Sequence, residues 1–309
     1  MSDYHIPVML KEVLEFLDIK RDHWYVDCNL GGGGHTTGIL EAGGNVLGID
    51  LDPDAIWEVT KSLKKYIDED RLRLAQTNFV NIADAVQGKI KVATLKQVQG
   101  KLPRNDVVKV SGVLFDLGVS THQLEEAERG FSFNADAPLD MRMNPTQGVS
   151  AKDLVNGLYE KELSELFLKL GEENWSKPIA KKIVEYRERK RIETTNELAN
   201  IILSVRRRSP SDRTHPATRV FQALRIAVND ELNSLKEALP KAFEVLEPGG
   251  RIVVISFHSL EDRIVKNYFK ELQQQLGELI TDKPLETSEE ESIENPRSRS
   301  AKLRVIQKN

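Results

Sequence analysis

The sequence predicts an α/β fold, a mostly parallel sheet with helices between its strands, interrupted by a helical insertion. Three observations carry this expectation. Short apolar segments alternate with helical ones as far as Asp116; the strand pattern vanishes between Gln123 and His215; and it returns in the strongly apolar run 251–257. Strands separated by helices favour parallel pairing, because a crossover helix is the usual link between parallel strands.

The elements follow in order. Residues 8–17 are amphipathic, Trp24–Asp27 is an apolar strand, and after a glycine run a helix is expected over 36–41. A second strand, Asn45–Asp50, precedes Pro53, a residue suited to the first turn of a helix. Further strands are expected over 71–76 and 111–116. The stretch 88–105, broken by Gly100 and Pro103, reads as a loop with at most one short helix. Charged helical sequence fills the insertion, notably 161–169 and 177–190. Two helices, 217–229 and 231–246, then lead through Pro248-Gly249-Gly250 into the strand 251–257. Residues 271–294 are polar and acidic and are expected to be mobile, and 301–306 could close the sheet. The expected domains are therefore 1–123 with 216–309, and an inserted helical domain over 124–215.

With 309 residues, 39% of them hydrophobic and 30% charged, the chain can bury one large core or two smaller ones. No apolar run approaches the length of a membrane span, and the first ten residues lack a basic stretch followed by an apolar one, so a cytoplasmic protein is expected. A single cysteine, Cys28, excludes an internal disulfide and a multi-cysteine metal site. The formal net charge of −4 gives no general attraction to polyanions. Any nucleic-acid contact needs a local basic patch. Between Ser176 and Arg219 there are twelve Lys or Arg against five Asp or Glu, a local net of +7. The candidates for nucleic-acid contact are Lys181, Lys182, Arg187, Arg189, Lys190, Arg191, Arg206, Arg207 and Arg208; a merely solvated helix face is the alternative.

The segment Asp27-Cys28-Asn29-Leu30-Gly31-Gly32-Gly33-Gly34-His35 leaves a strand and opens a helix. Glycines there let backbone approach a ligand, and helix N–H groups face it. Asp50, ending the next strand, can accept hydrogen bonds from both hydroxyls of a ribose, whereas Asp52 is better placed to cap the helix at Pro53. Dinucleotides and S-adenosylmethionine share this geometry. A dinucleotide fingerprint anchored on Gly31 and Gly33 wants glycine or alanine where Thr36 stands, and Asp27 would repel a pyrophosphate. Both points favour the cationic sulfonium cofactor.

Longer motifs run in order along almost the whole chain: His5-Ile6-Pro7-Val8-Met9-Leu10, Gly33-Gly34-His35, Gly48-Ile49-Asp50-Leu51-Asp52-Pro53, Phe115-Asp116-Leu117-Gly118-Val119-Ser120, Glu128-Arg129-Gly130-Phe131-Ser132-Phe133, Pro138-Leu139-Asp140-Met141-Arg142-Met143, His215-Pro216-Ala217-Thr218-Arg219, Ser256-Phe257-His258-Ser259-Leu260-Glu261-Asp262-Arg263 and Glu294-Asn295-Pro296-Arg297-Ser298-Arg299-Ser300. On these residues the chain resembles the MraW/RsmH family, which methylates N4 of cytosine 1402 in 16S rRNA of the small ribosomal subunit. The resemblance implies a class I, Rossmann-like S-adenosylmethionine-dependent methyltransferase. It implies that Gly33, Gly34 and His35 line the cofactor loop, that Asp50 holds the ribose, that Phe79 lies beside the adenine, and that Asp116 and Gln123 complete the pocket. The chain departs from the usual pattern at Cys28-Asn29, at Gly32 and at Thr121-His122.

A cytosine amine is a weak nucleophile, so positioning beside the methyl donor is the main task of such an enzyme. Asp116 is a candidate either to hold that amine or to serve only as a cofactor ligand. Methylation at C5 of a pyrimidine would need a cysteine nucleophile; Cys28, in the first-strand loop, fits a packing role better. His258 with Glu261-Asp262 lacks the His-Glu-x-x-His spacing of a zinc site, and methyl transfer needs no metal, so helix capping is expected there. Asp140 and Arg142 could shape a pocket or simply pair. The competing functions are a methyltransferase acting on another RNA or a protein, and an RNA-binding scaffold with a vestigial cofactor pocket.

Overall fold

In the computed structural model, residues 7–90, 108–210, 212 and 214–309 are described. The motif residues His5 and Ile6, and most of the expected loop 88–105, lie outside them. The chain divides into two compact units, 1–118 with 232–309, and 119–231.

The first unit holds one eight-stranded sheet: β1 (Trp24–Asp27), β2 (Asn45–Asp50), β3 (Leu72–Gln76), β4 (Val110–Asp116), β5 (Leu246–Ser256), β6 (Gly277–Leu279), β7 (Leu285–Glu286) and β8 (Lys302–Lys308). The strand order is β3-β2-β1-β4-β5-β8-β6, with β7 also pairing β8. Strands β1 to β5 pair parallel with one another, and β8 runs antiparallel to β5. Successive strand residues point to opposite faces, so each strand feeds two cores. On one face Val26, Leu47, Val113, Phe115, Ile252 and Val254 pack with Leu235, Leu239 and Phe243 of the helix Glu231–Val245 and Val265 and Phe269 of the helix Ser259–Gln273. On the other, Tyr25, Val46, Leu114, Val253 and Ile255 pack with Val13 and Leu17, Ile39 and Leu40, and Val59, from the helices Leu10–Leu17, Gly34–Glu41 and Pro53–Ser62. The near-continuous apolar runs of β4 and β5 follow from this double burial.

The expected mobile stretch 271–294 is instead structured. It carries β6, β7 and the helix Glu289–Glu294, because β8 offers its edge to both short strands and Ser288 caps the helix by accepting from the Glu291 N–H. Acidic side chains remain solvated while the backbone is paired.

The second unit is helical, with Ala151–Gly157, Glu160–Gly171, Ser176–Arg187, Thr195–Val205 and Thr218–Asn229 around a core of Leu163, Phe167, Ile179, Ile183, Leu198 and Ile202. It differs from the expected boundary at 215/216, since it runs on to Glu231. The reason is packing: Val220, Phe221, Ala223 and Leu224 of the helix Thr218–Asn229 complete this core. Asn229 ties the helix in further, accepting from the Met143 N–H at 2.8 Å and donating to the Met141 carbonyl at 2.8 Å. The start likewise moves from 124 to Val119.

Arg187 contributes to the same framework, donating to the carbonyls of Val155 and Leu158 at 2.6 Å each, near and just beyond the end of the helix Ala151–Gly157. Those carbonyls would lose charged donors if the side chain were removed. Arg187→Ala is expected to destabilise the protein by about 2–4 kcal/mol, measured by denaturant unfolding. A loss within about 0.5 kcal/mol would count Arg187 among ordinary surface residues.

Candidate functional site

The carboxyl ends of β1, β2, β3 and β4 converge where the chain steps from β1 sideways to β2 on one side and to β4 on the other. This is the topological switch point at which open α/β sheets bind ligands. Asp27 ends β1 and is buried; Thr36 donates its hydroxyl to it at 2.7 Å and the Asn29 N–H donates at 3.2 Å. Burial pushes the Asp27 carboxyl above its ordinary range, against the pull of His35 and these hydrogen bonds. The glycine loop then turns into the helix Gly34–Glu41 through Gly33, at φ +78°, where a Cβ would meet Val59 at 3.0 Å. At Gly34 a Cβ would press on Pro7 at 3.0 Å, so the N-terminal segment lies against the loop. Among the described residues no side chain caps this helix.

Asp50 ends β2. Its two carboxylate oxygens accept from the N–H groups of Gly31 and Asp52, each at 2.8 Å, so it ties the glycine loop to the loop after β2. Burial raises its pKa to about 6, with the N–H bonds opposing and Asp52 and Asp27 adding to the rise. Asp52 is the cap of the helix Pro53–Ser62, accepting from the Asp54 N–H at 3.1 Å, as its spacing from Pro53 suggested. Phe79 opens a short turn after β3, and its ring meets Phe115 of β4 edge-on, centroids 5.7 Å apart.

Asp116 ends β4. His35 Nδ1 stands 3.4 Å from its Oδ2, while the buried Oδ1 atom has no hydrogen-bond partner among the described residues. Burial raises the Asp116 carboxyl to about 6; His35 pulls it down, and Asp27 and Glu261 push it up. His35 is itself buried, with Nε2 3.0 Å from the Val8 carbonyl. Asn29 Oδ1 is a second buried acceptor without a partner among the described residues. Cys28 packs among Val26, Phe115 and Leu117, where burial and Asp27 push its thiol well up, away from thiolate.

Six of the expected site residues, Gly33, Gly34, His35, Asp50, Phe79 and Asp116, thus gather at one end of one sheet. Gln123 lies in the second unit, where it forms a reciprocal cap with Ser120: its N–H donates to Ser120 Oγ at 3.2 Å and its Oε1 accepts from the Ser120 N–H at 3.1 Å. The basic residues separate into two groups. Arg187 is spent on backbone carbonyls, and Arg206 pairs with the buried Glu173 at 3.3 Å and with Asp212 at 3.0 Å. Lys190 pairs with Glu197, Lys181 and Lys182 both lie by Glu185, and Arg191 lies by Glu193. Arg189, Arg207 and Arg208 are exposed. Asp140 and Arg142 form a two-pronged pair at 2.8 and 2.7 Å, which holds the Asp140 carboxyl low although burial works the other way. His258 caps the helix Ser259–Gln273, and Glu261 accepts from the Phe257 N–H at 2.8 Å. Sequence reasoning did not find Val8, whose part is played by a carbonyl that has no side-chain signature.

A family model described as the MraW methylase family matches residues 2–309. The chain belongs to that family. It is 44% identical to the ribosomal RNA small subunit methyltransferase H of Heliobacterium mobile, covering 100% of both chains. The protein of the same name from Geotalea uraniireducens is 46% identical, and that from Clostridioides difficile 44%, again with 100% of each chain covered. As a member of this methylase family with a mostly parallel, Rossmann-like sheet, the chain is an S-adenosylmethionine-dependent methyltransferase. No helix among the described residues is long and apolar enough to cross a membrane.

Two carboxyls raised to about 6 leave a mark on stability. Each has a folded pKa above its unfolded value, so its favourable contribution is full below about pH 4 and lost as pH rises through about 6. Protein without cofactor is expected to lose stability from these two groups between about pH 4 and 6, and Asp116→Asn should shallow that slope in urea unfolding. A slope unchanged by the substitution would mean that Asp116 titrates normally.

Proposed function

We propose that the chain methylates N4 of a cytosine, cytosine 1402, in 16S rRNA of the small ribosomal subunit, in the cytoplasm. The observation that carries this reading is the switch point at the ends of β1, β2 and β4, each of which ends in an aspartate, Asp27, Asp50 and Asp116, in a chain that matches a methylase family from residue 2 to 309. The names of its relatives supply the small-subunit rRNA, and the motif resemblance supplies the cytosine.

The residues present fit the cofactor. Buried Asn29 Oδ1 and Asp116 Oδ1 are acceptors in want of donors, and acidic side chains suit a group bearing an ammonium, a sulfonium and hydroxyls. Asp50 would hold the ribose with lone pairs left over from Gly31 and Asp52, Phe79 would lie beside the adenine, and Gly33, Gly34 and His35 would line the loop. When bound, S-adenosylmethionine supplies an electrophilic methyl group on sulfur. Asp116 accepts a hydrogen bond from the exocyclic amine and holds its lone pair toward that methyl. On methylation the amine would gain positive charge, and its proton would leave toward the Asp116 carboxylate. An interaction that strengthens along this path lowers the barrier more than it tightens binding. Cys28, buried and protonated, takes no part, which disfavours C5 chemistry.

The direct test incubates the protein with methyl-labelled cofactor and small subunits lacking the modification, then maps the label by mass spectrometry. Label on N4 of cytosine 1402 is expected. Label on another nucleotide or on a protein would overturn the assignment, and stoichiometric cofactor binding without transfer would favour a scaffold.

The helical unit 119–231 is the part we assign to substrate recognition, through the exposed Arg189, Arg207 and Arg208 more than through Arg187 or Arg206. Phosphate binding by a basic side chain releases counterions, at roughly 0.7–0.9 in the salt slope for each phosphate neutralised. Replacing Arg207 and Arg208 together by Glu is expected to weaken rRNA binding and to flatten its salt dependence by about that much for each phosphate no longer neutralised, with cofactor affinity unchanged. An identical salt slope would assign both to a solvated face.

A further inference from the structure

We propose that His35 is a positioning residue for Asp116: with Nε2–H fixed on the Val8 carbonyl, its Nδ1 and Asp116 Oδ2 hold one proton between them, leaving Oδ1 as the atom offered to a ligand. The proposal rests on the reading of Asp116 as the group that holds the amine. A carbonyl oxygen only accepts, so the ring nitrogen 3.0 Å from Val8 carries a hydrogen. The other nitrogen then faces Asp116 Oδ2 at 3.4 Å. If both atoms presented lone pairs they would repel in a buried site, so the pair keeps one proton, on the ring or on the acid.

The orientation of His35 is fixed from several sides. Pro7 lies against Gly34, the residue just before His35 in the loop, and the Met9 N–H donates to Glu291 Oε1 at 2.7 Å, which anchors the segment that presents the Val8 carbonyl. The charged groups facing the pair are Asp27 from the end of β1, which is drawn toward His35 and repels Asp116, and Glu261 from the helix Ser259–Gln273, which repels Asp116. Of these neighbours only His35 favours the ionised Asp116. Without it, burial and two like charges act unopposed. A plain packing role for His35 would make no demand on which form Asp116 takes.

Nuclear magnetic resonance of the full-length protein tests this without cofactor, by following the 13C-carboxyl of Asp116, assigned with Asp116→Asn, and the ring 15N signals of His35. In the wild type, Nε2 is expected to be protonated throughout, and Asp116 to titrate near pH 6. In His35→Asn, whose amide can donate but cannot take up the extra proton, the Asp116 midpoint should rise by about one pH unit or more, as expected when a nearby opposite charge is removed. The methyl-transfer rate of that variant should then fall about tenfold at acid pH for each pH unit by which the midpoint rises, and recover at high pH. An Asp116 midpoint unmoved by the substitution, a rate lowered equally at every pH, or an unprotonated Nε2 in the wild type would each overturn the proposal. The last measurement needs no variant, so it decides even if His35→Asn fails to fold. If Asp116→Asn transfers methyl groups at the wild-type rate while His35→Asn still moves the Asp116 midpoint, the shared proton stands and the amine-holding reading fails.

Discussion

Negative charge crowded into the carboxyl end of a parallel sheet is the constraint on which this site depends. Asp27, Asp50 and Asp116 each end a strand, and burial raises all three carboxyls against the hydrogen bonds or charges that pull them down. Such a cluster survives only if every oxygen is answered or awaits a partner. Thr36 and Asn29 answer Asp27, the N–H groups of Gly31 and Asp52 answer Asp50, and His35 answers one oxygen of Asp116. The strand order fixes the rest. Because β1 lies between β2 and β4, the acids at their ends are neighbours, and the loops that leave them must spread to either side.

The parallel framework was legible because doubly buried strands leave an unmistakable pattern. Trp24–Asp27 and Asn45–Asp50 are as expected from apolar runs alone, β3, β4 and β8 differ only at their ends, and β5 begins earlier, at Leu246, taking in the Pro248-Gly249-Gly250 segment expected as a turn. What periodicity could not supply was the work of long-range pairing. The stretch 271–294 looks like solvated chain because its side chains are polar, yet two of its strands are held by backbone hydrogen bonds to β8, to which side-chain composition is nearly blind. The border at 215 misplaced a helix for a related reason. Thr218–Asn229 has a helical period wherever it docks, and only the tertiary fit of Val220, Phe221 and Leu224 assigns it to the second unit.

Charge was read less surely than hydrophobicity. A run of lysines and arginines in sequence does not separate those that build the fold from those that face solvent. Arg187 reaches two backbone carbonyls and Arg206 reaches the buried Glu173, so both are committed to the helical unit, whereas Arg207 and Arg208, next in the chain, are exposed. Arginine suits either task because its fork of donors matches carbonyls, carboxylates and phosphates alike. Only partners distinguish the uses. At the cofactor end the sequence did better, since Asp50 and Asp52 had different expected roles two residues apart and the structure gives Asp52 the cap.

The same crowding bears on how such a site discriminates among ligands. A cationic group entering among Asp27, Asp50 and Asp116 relieves repulsion that the protein otherwise carries, so part of its binding energy is stored in the fold beforehand. A pyrophosphate entering the same crevice would add to that repulsion, although the glycine loop and the uncapped helix Gly34–Glu41 would in isolation welcome it. Loop shape alone therefore leaves the choice open, and the carboxylates decide it. Once the methyl group has left the sulfonium, the cofactor product has lost one positive charge, and the attraction that held it weakens while the loop geometry stays the same. In the proposed site, the acids that favour entry of the charged donor would thus also favour departure of its neutral-sulfur product, and a single electrostatic arrangement would serve both ends of a turnover.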